Sequence, residues 1–456
     1  MAPKPKADPK RRGLKKSAVG PSPSAVDRHW AALLFGLFLI ALALRLAWAL
    51  KAHVTPWGDS AEYDELARNW MATGQFGRPG AWAWRTPGYP AFLALVYRLF
   101  GPEVRVAMVA QAGLGAVTCL LVALLGARAA GRRVGLTAGA LYAVSMSSIL
   151  YTPFTVSEHV AIPLALGALL CLSRVESVGR HAIPWAALSG ALLGAAVLAR
   201  PAALFLAPVW IALVALKLPL RRLVAPAGAI CLGAFVVLSP WLIRNVRLGL
   251  GPTVSTIGGF DLWMGNHDGA TGGWDSKAVW TWTGSHPEAE QDRIWLRTGL
   301  DWMRRHPGQY GELCLRRLWR LALAPDSYLA IWSWPTSRND YVQSIYVRRA
   351  PGLTDEIAHD AIMARARGER VLGAIRWLVA PLTLVAFVVA LKRWREYAMV
   401  LLPLGTYVTA IVLTVAQPRY REMLGPFCVI LIASLLDCVP AAWRRARDAR
   451  RLPERT

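Results

Sequence analysis

Four carboxylates, Asp59, Glu62, Asp64 and Glu65, crowd the stretch WGDSAEYDEL at 57–66, in a chain with 52 Lys and Arg against 28 Asp and Glu. A carboxylate beside a substrate hydroxyl can take its proton, and carboxylates can also hold a divalent metal. A further acid, Glu158, stands in TVSEH at 155–159. Five arginines complete the set: Arg85, Arg200, Arg244, Arg419 and Arg421. The guanidinium is planar, permanently charged and shaped to hold phosphate through paired N–H bonds. Acids that handle a hydroxyl proton and arginines that hold a phosphate together fit chemistry on a lipid phosphate.

Each of these residues also has a structural reading. Asp59-x-x-Glu62 and Thr155-x-x-Glu158 match the capping box, in which a side chain satisfies the free N–H groups of a helix start. From Asp59 onward, Tyr63, Leu66, Ala67, Trp70 and Met71 share one apolar helical face, which suits a helix lying along the membrane surface. Any one arginine at a span end can be a snorkelling side chain.

The elements that must position these groups are apolar runs. A hydrocarbon core of about 30 Å takes roughly 20 residues, and we read about ten such runs: 30–50, 104–127, 134–151, 156–173, 183–199, 201–216, 222–243, 371–391, 397–416 and 424–441. With 55% hydrophobic and 18% charged residues, the chain reads as an all-α polytopic membrane protein. The run 30–50 is longer than a cleavable signal core and lacks a small-residue cleavage site, so it reads as a permanent span. Runs 183–199 and 201–216 are separated only by Arg200-Pro201 and can form a broken hairpin.

Cations mark the sides. Arg128, Arg132 and Arg133, then Arg174 and Arg180, then Lys217, Arg221 and Arg222, then Lys392, Arg393 and Arg395 lie in alternate connections, which the positive-inside rule places in the cytoplasm. Both termini fall on that side, and the acids and arginines above fall on the extracytoplasmic side. The expected organisation is a basic cytoplasmic tail at 1–27, a transmembrane catalytic module at 28–243 that includes a first outer loop at 51–103, an extracytoplasmic loop or domain at 244–370, transmembrane helices at 371–441, and a basic tail at 442–456. The net charge of +24 lies largely in tails and short loops, so anionic lipid headgroups are the expected partner and nucleic acid is not.

Of six cysteines, only Cys314 lies outside the spans on the outer side, which leaves no disulfide framework and no zinc spacing. Glu62 and His159 are the weak metal candidates.

The motifs also occur in a familiar order: Asp59-x-x-x-Tyr63, RTPGYPAFLALVYRLFG at 85–101, TVSEH at 155–159, LARP at 198–201, PWLIRNVRLG at 240–249, GGFDLWMGN at 258–266 and QPRYRE at 417–422. Over roughly 30–440 the chain resembles bacterial membrane glycosyltransferases of family 39, the group with the protein O-mannosyltransferases and lipid A aminoarabinose transferases, whose architecture is called GT-C. The resemblance implies a polyprenyl-phosphate sugar as donor and transfer to an acceptor hydroxyl or phosphate with inversion. It implies Asp59 as general base or acceptor-orienting group and Glu158 as a second acid. Arg85, Tyr89, Tyr63, Arg200, Arg244, Arg419, Tyr420 and Arg421 fall to substrate binding. Relatives often carry two consecutive acids where this chain has Asp59-Ser60, so a divalent metal is allowed but not required.

A transporter or flippase for lipid-linked sugars is the alternative, and would place its functional charges near the bilayer midplane beside broken helices. An envelope scaffold built on 244–370 leaves the acids and arginines unexplained.

Overall fold

The computed structural model describes residues 25–52, 54, 56, 58–175, 182–274, 286–324 and 355–449. Most of the expected tails therefore lies outside the described residues, as do parts of 244–370. Among the described residues the regular structure is helical, apart from a single β-bridge between Arg78 and Ala81.

Each of the ten apolar runs is helical, as a lipid environment demands of backbone groups that have no water to bond. They begin with α1 (Ala25–Lys51). The first connection carries α2 (Asp59–Thr73) and α3 (Gly88–Phe100), and α4 (Val104–Ala130) follows. Run 134–151 is split into α5 (Arg132–Ala143) and α6 (Met146–Tyr151). Next come α7 (Glu158–Leu172) and α8 (Ala182–Ala199), then a 3-10 turn (Pro201–Leu206) leading into α9 (Ala207–Ala215), and α10 (Leu220–Arg247). After α10 the chain forms α11 (Gly258–Gly265), α12 (Glu288–Arg305) and α13 (Pro307–Ala322). It closes with α14 (Asp355–Leu391), α15 (Ala398–Leu413), a 3-10 turn (Pro418–Tyr420) and α16 (Arg421–Ala449). Among the described residues, five helices are long and apolar enough to cross a membrane unaided, and the shorter apolar helices include α7, α9 and α15. This is a membrane protein, and its span count by length alone is smaller than the run count.

The bundle packs α4 against α1, α5 and α7, and α8 against α7 and α10. Small residues allow close approach there. A Cβ on Gly88 would lie 2.6 Å from the Ala199 backbone nitrogen, so only glycine brings the start of α3 against the end of α8. That contact brings the segment after Arg85 to the residue before Arg200.

Packing joins the first connection to the rest of the described chain. The apolar face of α2 is covered by protein: Tyr63, Leu66 and Ala67 are buried, and α2 packs on α3. The described part of 244–370 is tied to the first connection. Glu288 of α12 accepts hydrogen bonds from the backbone N–H of Ala83 (2.8 Å) and from Thr256 Oγ1 (2.6 Å), tying α12 to the first connection and to the strap before α11.

Candidate active site

Asp59 is the first residue of α2, and the residue that caps the helix is Gly58, with no side-chain cap bond. The capping box is not formed. Asp59 and Glu62, one helical turn apart on one face, turn instead toward Arg85. Arg85 Nη2 lies 2.6 Å from Asp59 Oδ1 and 2.7 Å from Glu62 Oε2. The other Asp59 oxygen, Oδ2, pairs with Arg419 Nη2. Glu62 also meets Arg78 at 3.1 Å.

Glu158 repeats the pattern. Ser157 occupies the N-cap of α7 without a side-chain cap bond, and the Thr155 hydroxyl donates to the Ser60 carbonyl instead (3.2 Å). Glu158 is buried, 2.9 Å from Arg200 Nη1 and 3.9 Å from Arg419 Nε. Arg200 is in extended backbone between α8 and the 3-10 turn, where Pro201 ends the helix. That break aims its side chain inward, 4.9 Å from the Tyr420 ring centroid.

The result is a cluster of three arginines, Arg85, Arg200 and Arg419, matched by Asp59, Glu62 and Glu158. Burial opposes the charge on Asp59, but Arg419 and Arg85 outweigh it and hold its carboxyl well below the usual carboxylate range. The same carboxylates hold Arg85 more firmly charged than usual against its own burial.

Asp59 and all three arginines line a cavity of about 500 Å³. Tyr63, Trp84 and Tyr420 add aromatic surface, and Leu204, Phe205, Ile411 and Met423 make an apolar flank. Leu204 and Phe205 are also exposed on the outside of the bundle.

Three expected binding residues go elsewhere. Tyr89 is fully buried, with its hydroxyl on Gln111 and its ring edge-on to Tyr63 at 5.0 Å. Arg244 donates to the carbonyls of Phe76 and Trp82 and lies 4.6 Å over the Trp241 ring, so it braces the first connection. Arg421 points away from the cavity toward the carbonyls of Arg320 and Ala324 at the end of α13. Of the metal candidates, Glu62 is taken by arginines and His159 Nε2 meets the Tyr151 carbonyl at 3.0 Å. Among the described residues no group of three or more His, Cys, Asp or Glu side chains is placed to hold a metal ion.

One cavity acid was not singled out in the sequence. Asp261, within GGFDLWMGN, lines the same space as the arginines. The run GGFDLWMGN belongs to the ordered motif set, but a lone acid among glycines and aromatics does not by itself mark a site.

The geometry can be set beside known proteins. A family model described as dolichyl-phosphate-mannose-protein mannosyltransferase matches residues 84–243, a segment containing Arg85, Glu158 and Arg200. No curated protein matches the chain. The apo crystal structure of the Archaeoglobus fulgidus oligosaccharyltransferase superposes with a TM-score of 0.53 at 14% identity, covering 94% of this chain and 52% of that one. The fold is GT-C. A second structure of that archaeal enzyme, AglB, in complex with an inhibitory peptide and a dolichol-phosphate, gives a TM-score of 0.52 at 14% identity, over 95% of this chain and 53% of AglB. ArnT from Cupriavidus metallidurans bound to undecaprenyl phosphate gives 0.41 at 16% identity, over 95% of this chain and 82% of ArnT. The chain thus spans about half the length of the archaeal GT-C structures it matches.

Proposed function

We propose that this protein is a membrane glycosyltransferase of the family 39 type. It moves a hexosyl or pentosyl group from a polyprenyl phosphate to an acceptor on the extracytoplasmic face, with inversion at the anomeric carbon. The observation that carries this reading is the set of three charged arginines facing one cavity with an apolar flank. AglB, of the same fold, was solved with a dolichol-phosphate, a ligand of the same chemistry.

The division of labour follows from the geometry. Arg85, Arg200 and Arg419 receive the donor phosphate and stabilise the charge that grows on it as the glycosidic bond breaks. Leu204 and Phe205 give the polyprenyl chain a path from lipid to cavity. Asp59 orients the arginines and the acceptor, and Glu158 fixes Arg200 and Arg419 from behind. Phosphate is a competent leaving group, so positioning and charge neutralisation carry most of the work, and the guanidiniums supply the positive charge without a required metal.

Purified protein incubated with candidate polyprenyl-phosphate sugars should release polyprenyl phosphate from at least one of them. Binding of these lipids with no cleavage, together with their transport in sealed vesicles, would favour the flippase reading. Against that reading stands the location of the charges. They sit at helix starts and in connections rather than at mid-span.

A further inference from the structure

Asp261 is the cavity carboxylate that the arginines do not occupy. Asp59, Glu62 and Glu158 each pair with guanidinium groups. Asp261 has no hydrogen bond or ion pair to its carboxylate among the described residues, and it stands beyond the 4.0 Å ion-pair distance from every described Lys and Arg nitrogen. It nonetheless lines the same cavity as Arg85, Arg200, Arg419 and Asp59, so it faces the cluster across a gap.

The backbone holds it there. Helix α11 is pinned at its start by the Gly259 N–H, which donates to Asp292 Oδ1 (2.7 Å). At its end a Cβ on Gly265 would lie 1.9 Å from the Thr414 carbonyl, which only glycine avoids. The strap before α11 is tied to the first connection by Thr256 N–H to the Ala83 carbonyl (3.0 Å) and the Ser255 hydroxyl to the Trp84 carbonyl (3.0 Å). An acid on so fixed an element, with both oxygens free and facing a substrate-sized space, is placed to touch substrate.

We infer that Asp261 is the general base of the transfer reaction, with Asp59 an orienting residue; this rests on the donor reading above. In the step, the acceptor O–H proton passes to an Asp261 oxygen as the acceptor oxygen bonds to the anomeric carbon. The bond from that carbon to the phosphate oxygen breaks, its electron pair leaves with polyprenyl phosphate beside the arginines, and Asp261 then returns the proton to water. Asp59 is poorly suited to that task because both its oxygens are held by guanidiniums. Burial pushes the Asp261 carboxyl up to about 6 despite Arg85 and Arg200. A base is most effective when its pKa lies near the working pH. Donor binding sharpens this, since a phosphate that engages the arginines weakens their pull on Asp261.

The charged groups around α11 are few. Asp292 of α12 meets its N-terminal end and Arg317 of α13 its C-terminal end, through the Gly265 carbonyl. Within the cavity Arg85, Arg200, Arg419, Asp59 and Tyr420 surround Asp261.

The test uses the full chain in lipid nanodiscs and a farnesyl methyl phosphodiester, whose single negative charge does not titrate near neutrality. Calorimetry in two buffers of different ionisation enthalpy should show proton uptake when wild type binds this compound slightly above pH 6. Asp261→Asn should bind it without uptake, and Asp261→Glu should restore uptake. Equal uptake in wild type and Asp261→Asn, or none in wild type, overturns the assignment. Binding to neither protein overturns the donor reading itself. With a donor that turns over, Asp261→Asn should lower the saturated rate by about 100-fold or more and erase the acid limb of its pH profile, and Asp261→Glu should regain part of both. A wild-type profile in Asp261→Asn also sinks the proposal.

Discussion

Arg419, in the connection before the last helix, sets its guanidinium against the carboxylate of Asp59, at the start of the first connection. The two ends of the fold thus meet at one ion pair. Arg85 approaches the same carboxylate from the other side.

Asp59→Asn should therefore be more than a conservative change. It leaves two half-buried guanidiniums short of charge, at a cost of about 1–3 kcal/mol, between the values for exposed and fully buried pairs. Thermal unfolding should shift downward and sugar transfer should be lost. Added polyprenyl phosphate should raise the melting temperature of the variant more than that of wild type, because it replaces the missing anion. Equal shifts in both proteins would show that the phosphate does not reach these arginines.

Arg85→Ala and Arg244→Ala should separate two jobs that look alike in sequence. The first should raise the donor concentration needed for half-maximal rate by about 10-fold or more, the worth of a charge-assisted hydrogen bond. The second removes the brace on the Phe76 and Trp82 carbonyls. It should lower stability and protease resistance of the first connection with little change in donor dependence per folded molecule. Steady-state kinetics beside limited proteolysis distinguishes them.

The pH dependence of stability carries two opposite signs. The folded pKa of Asp59 is depressed by Arg419 and Arg85 against burial, so its contribution is full above the ordinary carboxylate range and is lost as pH falls through that depressed value. Asp261, raised to about 6 by burial, binds a proton in the folded protein that the unfolded chain has released. It therefore costs stability progressively as pH rises from about 4 to about 6, and fully above that. Melting curves should show Asp261→Asn more stable than wild type at neutral pH and nearly equal at about pH 4. A difference that does not change with pH would contradict the raised value.

Gly265→Ala removes no functional group, yet its Cβ would press on the Thr414 carbonyl. An overpacking cost of about 1–3 kcal/mol is expected, together with a displaced α11 and impaired transfer. Gly405, with open space around it, is the control, and Gly405→Ala should leave activity unchanged.

Metal removal should do little. If the three guanidiniums hold the donor phosphate as proposed, chelation by EDTA is expected to leave donor cleavage at its starting rate, and a loss restored by magnesium or manganese would require a metal in the mechanism.

The helices were legible because lipid imposes a length and a composition on each apolar run, and all ten runs are helical. The arginines at 85, 200 and 419 were legible because cations at those ends oppose the side preference of the rest of the chain. The same argument misdirected Arg244 and Arg421, since a charge's position along a helix does not say which way it faces, and that rotation is decided by distant carbonyls. Tyr89 failed for a similar reason: its motif neighbours reach the cavity while its own ring turns into the core. The capping boxes at Asp59 and Glu158 failed because the residue types that cap a helix also pair with arginine, and arginines from other parts of the chain won. Asp261 lay within a motif of the ordered set, but nothing in its local pattern distinguished the acid itself.

The balance of three acids against three arginines bears on how a reaction cycle ends. On the proposed function, an arriving phosphate would enter by exchange, displacing a carboxylate from a guanidinium, and its net gain would be only the difference between two ion pairs. On departure the carboxylates would close over the arginines again. A doubly charged lipid product that would otherwise cling to three bare cations would thereby leave a site that carries its own counterions, and the next donor would meet the same paired arginines as the last.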